Sequence, residues 1–420
     1  MLVSRRRGLL PMIVVVVFIL VLIQNITKED RRFHLECTLG ILKTPDKFPA
    51  NSTLGFGAIV VVSKEESERR HSLLQAANVT DIDLTIPQQP IWTNRDVESF
   101  RNNEVDKVQI GSILAWMGHR NALQWFLDSG LETALILEDD VDWDIRLRSV
   151  QIPLAAGAAR SLLPPAIGFS PWANGNKSSI HYWGDPASWD VLYLGHCGDY
   201  FDEVSDHGIK NQGFTLDSLP HTVYYDPTIP RKPELHPFTR QLFEKLKLLD
   251  HTRAFHRSKF PLCSFGYAIT RIAAERLLSD FAPEKLTPKG PRAFDVALLD
   301  ACKKGFKTPS PTIAGNPNPH PDPKLRDKYT SPGLRCWTLN SELFHHMPGD
   351  SQIGQISKIV GEQFGVPPVD LAGQQQILSR HQTPNIECGF WSGAFSFPDN
   401  DVERLKYLQE QVGRKGKCLK

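Results

Sequence analysis

Short apolar runs alternate with amphipathic stretches along this chain, and polar or proline-rich tracts separate them. Gly55 to Val62 (G-F-G-A-I-V-V-V) predicts a buried strand, and the helix-forming stretch Lys64 to Ala77 follows, with Arg69 and Arg70 in its middle. Asp81 to Ile86 alternates and predicts a second strand. In Gly111 to Leu127 the apolar positions Ile113, Leu114, Met117, Leu123 and Leu127 fall at helical spacing, and Gly130 supplies a C-terminal stop. Trp116, Trp125 and Phe126 read as core residues of that helix, while His119 and Arg120 either face a site or fill structural roles. Ala134 to Leu137, Ser188 to Leu194 and Cys263 to Thr270 predict further strands. Phe238 to Asp250, Arg271 to Phe281 and a short stretch from Ala293 to Lys303 predict helices. The tracts from Asp144 through Asp185 and from Pro220 to Pro237 show no regular period. Alternating strands and helices predict an α/β fold.

The candidate chemistry sits where one of these runs ends. Ala134 to Asp144 reads A-L-I-L-E-D-D-V-D-W-D, an uncharged run that breaks into Glu138, Asp139, Asp140, Asp142 and Asp144. So many carboxylates at the tip of a buried strand call for a counter-charge. Oxygen-only ligands favour a hard divalent ion, Mg²⁺ or Mn²⁺. The carboxyl edge of an α/β sheet is also where ligands usually bind. A solvated acidic turn opening a helix is the plainer alternative. Alternate residues leaving an extended strand point the same way, which pairs Glu138 with Asp140 and turns Asp139 to the other side. Gly195-His196-Cys197-Gly198-Asp199 has the character of a ligand-edge loop or of an ordinary glycine-rich turn. Asp295 reads as a helix N-cap or a site carboxylate, and His345-His346 is a weak metal signal that can complete a site built elsewhere.

Composition narrows the setting. The 420 residues are 23% charged and 41% hydrophobic with a formal net charge of +1, which gives no support for nucleic-acid binding. Arg5 to Arg7 precede an apolar run from Leu9 to Ile23, with no small-residue cleavage site after it. This predicts a cytosolic tail over 1–8, an uncleaved signal-anchor transmembrane helix over 9–26 in preference to the competing cleaved signal peptide, and a polar stem over 27–54. N-x-S/T sequons at Asn51, Asn78 and Asn176 agree with a lumenal position, where the seven cysteines are free to form disulfides. An odd number leaves at least one free or paired with another chain, and their spacing does not fix the connectivity. Seven prolines between Thr308 and Pro332 predict a linker, so the expected organisation is a domain over 55–307 and an irregular C-terminal extension over 308–420.

Taken in order, these pieces resemble glycosyltransferase family 25, the lipopolysaccharide and collagen galactosyltransferase-like group. The likeness is carried by Val60-Val61-Val62 through Arg69-Arg70, by Gly111, and by Ser129-Gly130-Leu131-Glu132 with Ala134 to Asp140. Trp189 to Gly195, Gly266 to Thr270 with Ala273 to Leu278, and Phe294-Asp295 extend it, so that it covers roughly Gly57 to Phe306. The resemblance implies a GT-A-like, Rossmann-type nucleotide-sugar-binding domain. It also implies transfer of galactose or glucose from a UDP-sugar to a glycan or glycoprotein hydroxyl, and with the N-terminal anchor the expected setting is a type II membrane protein of the Golgi or endoplasmic reticulum. On that basis Glu138 and Asp140 are expected to hold Mn²⁺ or Mg²⁺. Arg69 and Arg70 are expected to contact phosphate, Asp139 to meet the ribose or the fold, and Asp295 or Asp199 to act as general base. An inactive relative that binds a partner, and a metal-dependent hydrolase, are the alternative functions.

Overall fold

The computed structural model describes residues 49–102, 108–163, 181–201, 204–205, 208–209, 215–306, 332–347 and 382–419. The expected cytosolic tail, membrane segment and most of the stem lie outside these residues, as do Asn176, Cys37 and most of the proline-rich tract. Among the described residues no helix is long and apolar enough to cross a membrane.

The strands are β1 (Ala58–Val62), β2 (Thr133–Glu138), β3 (Val141–Trp143), β4 (Val191–Gly195), β5 (Gly198–Asp199), β6 (Val204–Ser205), β7 (Gly208–Ile209), β8 (His221–Tyr225), β9 (Thr252–Arg257), β10 (Pro261–Leu262), β11 (Gly266–Thr270), β12 (Cys336–Asn340) and β13 (Phe344–His346). The helices are α1 (Glu68–Thr80), α2 (Asn94–Arg101), α3 (Ile110–Asp128), α4 (Ile152–Leu162), α5 (Pro237–Lys245), α6 (Arg271–Arg276), α7 (Phe294–Phe306) and α8 (Val402–Leu408).

Nine strands form one mixed sheet in the order β1-β2-β11-β4-β12-β9-β8, with β13 pairing both β3 and β4. The pairs β1/β2, β4/β12 and β4/β13 are parallel, and the others are antiparallel. The result is a mixed α/β architecture compatible with a Rossmann-like fold. Uninterrupted apolar runs explain β1, β2, β4 and β11, whose interiors are covered by protein on both faces. Against the sheet packs a core of Trp116 and Phe126 from α3, Leu277 and Phe294, with Ile136, Tyr193 and Tyr267 from the strands. A second cluster gathers Tyr200, Phe201 and Ala254 around Leu242 and Phe243 of α5.

Several expectations need correction: the tract after Asp144 contains helix α4, and the tract from Pro220 contains strand β8, which pairs with β9. Asp81 to Ile86 is not a strand; only Thr85 bridges to Val60, because Asp81 ends α1 in a left-handed conformation that turns the chain away. The boundary at residue 307 also fails, since β12 lies between β4 and β9 in the middle of the sheet. The polar-looking C-W-T-L-N of β12 is wholly buried there. Residues 382–419 likewise fold back: Phe395, Phe397, Leu408 and Val412 pack with Val79 of α1 and Ile145.

Three disulfides join Cys197 to Cys263, Cys302 to Cys336, and Cys388 to Cys418. The second ties α7 to β12 and the third closes the C-terminal segment on itself.

Candidate functional site

Register alone assembles one edge of the sheet. Val62 lies opposite Glu138 at the carboxyl ends of the parallel strands β1 and β2. The first residue of β11, Gly266, lies opposite both Leu137 and Gly195, and the last residue of β4 faces Phe344 of β13. Gly195 and Gly266 approach so closely that a Cβ on Gly195 would meet the Gly266 Cα at 2.8 Å. This explains glycine at both positions without invoking a ligand.

The five carboxylates divide into two groups. Glu138, Asp139 and Asp140 are half-buried at the strand edge, and each meets a partner from a different element. Glu138 Oε1 lies 3.3 Å from His119 Nε2 of α3, whose Nδ1 is 3.3 Å from the Tyr267 hydroxyl. The His119 ring is buried and stacks on Phe294 with centroids 4.3 Å apart. Asp139 Oδ2 accepts a 2.7 Å hydrogen bond from Ser63, the residue after β1. Arg70 in turn donates to the Ser63 hydroxyl and carbonyl. Asp140 Oδ2 is paired with Arg69 at 2.9 Å, whereas Asp140 Oδ1 is buried without a hydrogen-bond partner. Burial first, then Glu138 and Asp139, outweigh Arg69 and push the Asp140 carboxyl up to about 7.

Asp142 and Asp144 point elsewhere. Both are buried, and both hold the C-terminal segment. Asp142 accepts hydrogen bonds from Thr383, from the N–H groups of Phe390 and Trp391, and from its own neighbour Trp143. Asp144 accepts the Cys388 N–H and a two-oxygen contact from Arg146, which also reaches Glu387. The acidic stretch therefore divides into an edge cluster, Glu138 to Asp140, and an anchor, Asp142 and Asp144. β3 pairs with β13, which sets His345 opposite Asp142 and His346 opposite Val141, while Met347 donates to the Asp140 carbonyl. His345 is hydrogen-bonded to Glu342, a buried carboxylate that also accepts from Asn385. His346, the exposed last residue of β13, stacks its ring on that of His345 with centroids 5.0 Å apart.

The two expected bases differ in setting. Asp295 opens α7 half-buried, next to the Phe294 that stacks on His119. Burial raises its carboxyl above the ordinary range; the Val296 N–H opposes this, Glu138 adds to it and His119 opposes it. It thus shares an electrostatic neighbourhood with Glu138. Asp199 is 0% exposed and accepts from the N–H groups of Phe201, Lys259 and Phe260 and from the Thr338 hydroxyl. With its oxygens engaged by four donors, Asp199 is a brace for the β5–β10 corner beside the Cys197–Cys263 disulfide, contrary to the expected basic role. His196 is likewise tied, accepting from the Gly198 N–H and donating to the Leu339 carbonyl. The glycine-rich turn is structural.

Among the described residues no three His, Cys, Asp or Glu side chains are already gathered as a metal cage. The donor set still suits a hard divalent ion: half-buried carboxylates, one with an unpartnered oxygen. Ser63, Tyr267 and the Thr383–Trp391 segment were not foreseen as neighbours of the acidic stretch. Only Ser63 had a signal, its place directly after an apolar strand. No protein-family model matches the chain, and no curated protein matches it significantly.

Proposed function

We propose that the chain is a metal-dependent glycosyltransferase of GT-A-like fold that moves a hexose, galactose or glucose, from a UDP-sugar to a hydroxyl of a glycan or glycoprotein. The observation that supports this reading is the row Glu138-Asp139-Asp140 at the carboxyl edge of β1 and β2. Each carboxylate there has its own orienting partner, and Asp140 Oδ1 is left buried and unpartnered. Glu138 and Asp140 would hold Mn²⁺ or Mg²⁺, which when bound supplies positive charge for a diphosphate leaving group. Asp139, fixed by Ser63, would meet the ribose, and Arg69 on the first turn of α1 would contact phosphate. Asp295 takes the base role: it accepts the acceptor hydroxyl proton as that oxygen bonds to the anomeric carbon and the bond to the diphosphate breaks, with inversion. Three disulfides support placement in an oxidising compartment, in keeping with a lumenal domain of a type II protein of the Golgi or endoplasmic reticulum.

Calorimetric titration of the purified chain with UDP, in Mn²⁺ and in EDTA, tests this reading. Mn²⁺-dependent binding that Asp140→Asn removes is expected; equal binding in EDTA would remove the metal from the proposal.

A further inference from the structure

We propose that His119 is a positioning residue: it holds the Glu138 carboxylate in the orientation in which that group meets a divalent cation. This rests on the metal-dependent function proposed for the edge, and His119 acts there only through Glu138. The residue lies within α3 and is 2% exposed. Gly118 lets the helix come close to the end of β1, since a Cβ there would meet Val62 Cγ1 at 3.0 Å. Both ring nitrogens engage side chains of other elements: Nε2 meets Glu138 of β2 at 3.3 Å, and Nδ1 meets the Tyr267 hydroxyl of β11 at 3.3 Å. The ring is kept from swinging away because it lies flat on Phe294, with centroids 4.3 Å apart. Phe294 in turn meets the Trp116 ring edge-on.

The hydrogen-bond directions follow from the partners. An ionised carboxylate only accepts, so Nε2 carries the hydrogen and donates to Glu138 Oε1. In the neutral ring Nδ1 is then the acceptor, and the Tyr267 O–H donates to it. The order Tyr267 to His119 to Glu138 thus fixes the tautomer, the ring and the glutamate rotamer together. Glu138 uses one oxygen for this contact and its side chain stays 33% exposed, so Oε2 remains available at the edge. A core histidine satisfied by backbone groups would have no such hold on a site carboxylate. A glutamate freed of it regains its rotamers, and ordering them again weakens the grip on a cation.

The experiment measures UDP binding to the full chain by calorimetry across a Mn²⁺ series, for wild type, His119→Phe, His119→Gln and Tyr267→Phe. Thermal unfolding verifies that each variant is folded. Phenylalanine keeps a ring on Phe294 and removes the donor; glutamine loses the ring and restores a donor. In His119→Phe the Mn²⁺ concentration for half-maximal UDP binding should rise about tenfold, while UDP affinity at saturating Mn²⁺ stays within about twofold of wild type. His119→Gln should recover most of that loss, and Tyr267→Phe should show a rise of about threefold. An unshifted Mn²⁺ requirement in folded His119→Phe would overturn the positioning role and leave the parent reading standing. So would a UDP affinity that stays low at saturating Mn²⁺, the mark of a merely structural residue. If His119→Phe does not fold, Tyr267→Phe decides by the same two readouts. A wild-type chain that binds UDP without Mn²⁺, or not at all, would overturn both.

Discussion

Asp142 Oδ2 accepts a 2.6 Å hydrogen bond from the hydroxyl of Thr383, a residue 241 positions further along the chain. Around this pair the end of the chain is fastened to the strand that carries the acidic stretch. Asp142→Ala leaves the N–H groups of Phe390 and Trp391 and the Thr383 hydroxyl without their acceptor. Each such orphan costs about 1–3 kcal/mol, so the variant should lose about 4 kcal/mol of stability in urea unfolding. A loss under about 1 kcal/mol would mean that the C-terminal segment is not held here.

Gly389 tests the same contact from the other side. A Cβ at that position would lie 2.2 Å from Asp142 Oδ2, far inside contact distance. Gly389→Ala should therefore destabilise the chain by about 1–3 kcal/mol through overpacking. In addition, replacing both Cys388 and Cys418 by serine should cost about 2–4 kcal/mol by freeing the closed loop in the unfolded state. Urea midpoints of the two variants measure both effects.

Acid should loosen the same region through Glu342. Burial acts to raise this carboxyl, but His345, His196 and Asn385 outweigh it and hold the group down at about 2 against an ordinary value of 4.5. A depressed folded-state value means that the stabilisation is fully present above pH 4.5 and is lost as pH falls towards 2. The amount is on the order of 3 kcal/mol. Glu342→Gln should be less stable at neutral pH and show a flatter stability profile between pH 4.5 and 2. An acid limb as steep as that of wild type would rule out this role.

The two candidate bases should separate cleanly. Asp199→Asn disturbs an acceptor held by four donors, and its main effect should be a drop of about 2 kcal/mol in stability. Asp295→Asn, at a half-buried position that bonds the Val296 N–H, should change stability little and lower turnover by about 10²-fold or more. Melting curves and initial rates on both variants, read together, decide it. Lost turnover in a stable Asp199→Asn chain would reverse the assignment.

Local sequence pattern carried much of this structure. The apolar runs of β1, β2, β4 and β11 and the periodic stretch of α3 were legible because burial on two faces, or on one stripe, leaves a period in the chain. The grouping of Glu138, Asp139 and Asp140 at a strand end was legible for the same reason. The separation of Asp142 and Asp144 from them was not, because it depends on residues 383–391, which reach the acidic stretch only through the folded chain. β12 escaped notice because its buried polar residues, Thr338 and Asn340, find partners in Asp199, Ser258 and His256. Composition alone cannot distinguish such a strand from a loop. The same holds for Asp199, whose donors come from the chain near residues 201 and 260 and from β12.

On the proposed function, the Glu138-to-Asp140 edge activates a sugar nucleotide with the help of a divalent ion. Release of UDP from a panel of UDP-hexoses, with Mn²⁺ and with EDTA, for wild type and Asp140→Ala tests it most directly. Mn²⁺-dependent release from UDP-galactose or UDP-glucose is expected, lost in a variant whose melting temperature is unchanged or raised, since a partly uncompensated carboxylate is removed. Release that persists in EDTA, or full activity in Asp140→Ala, would contradict it.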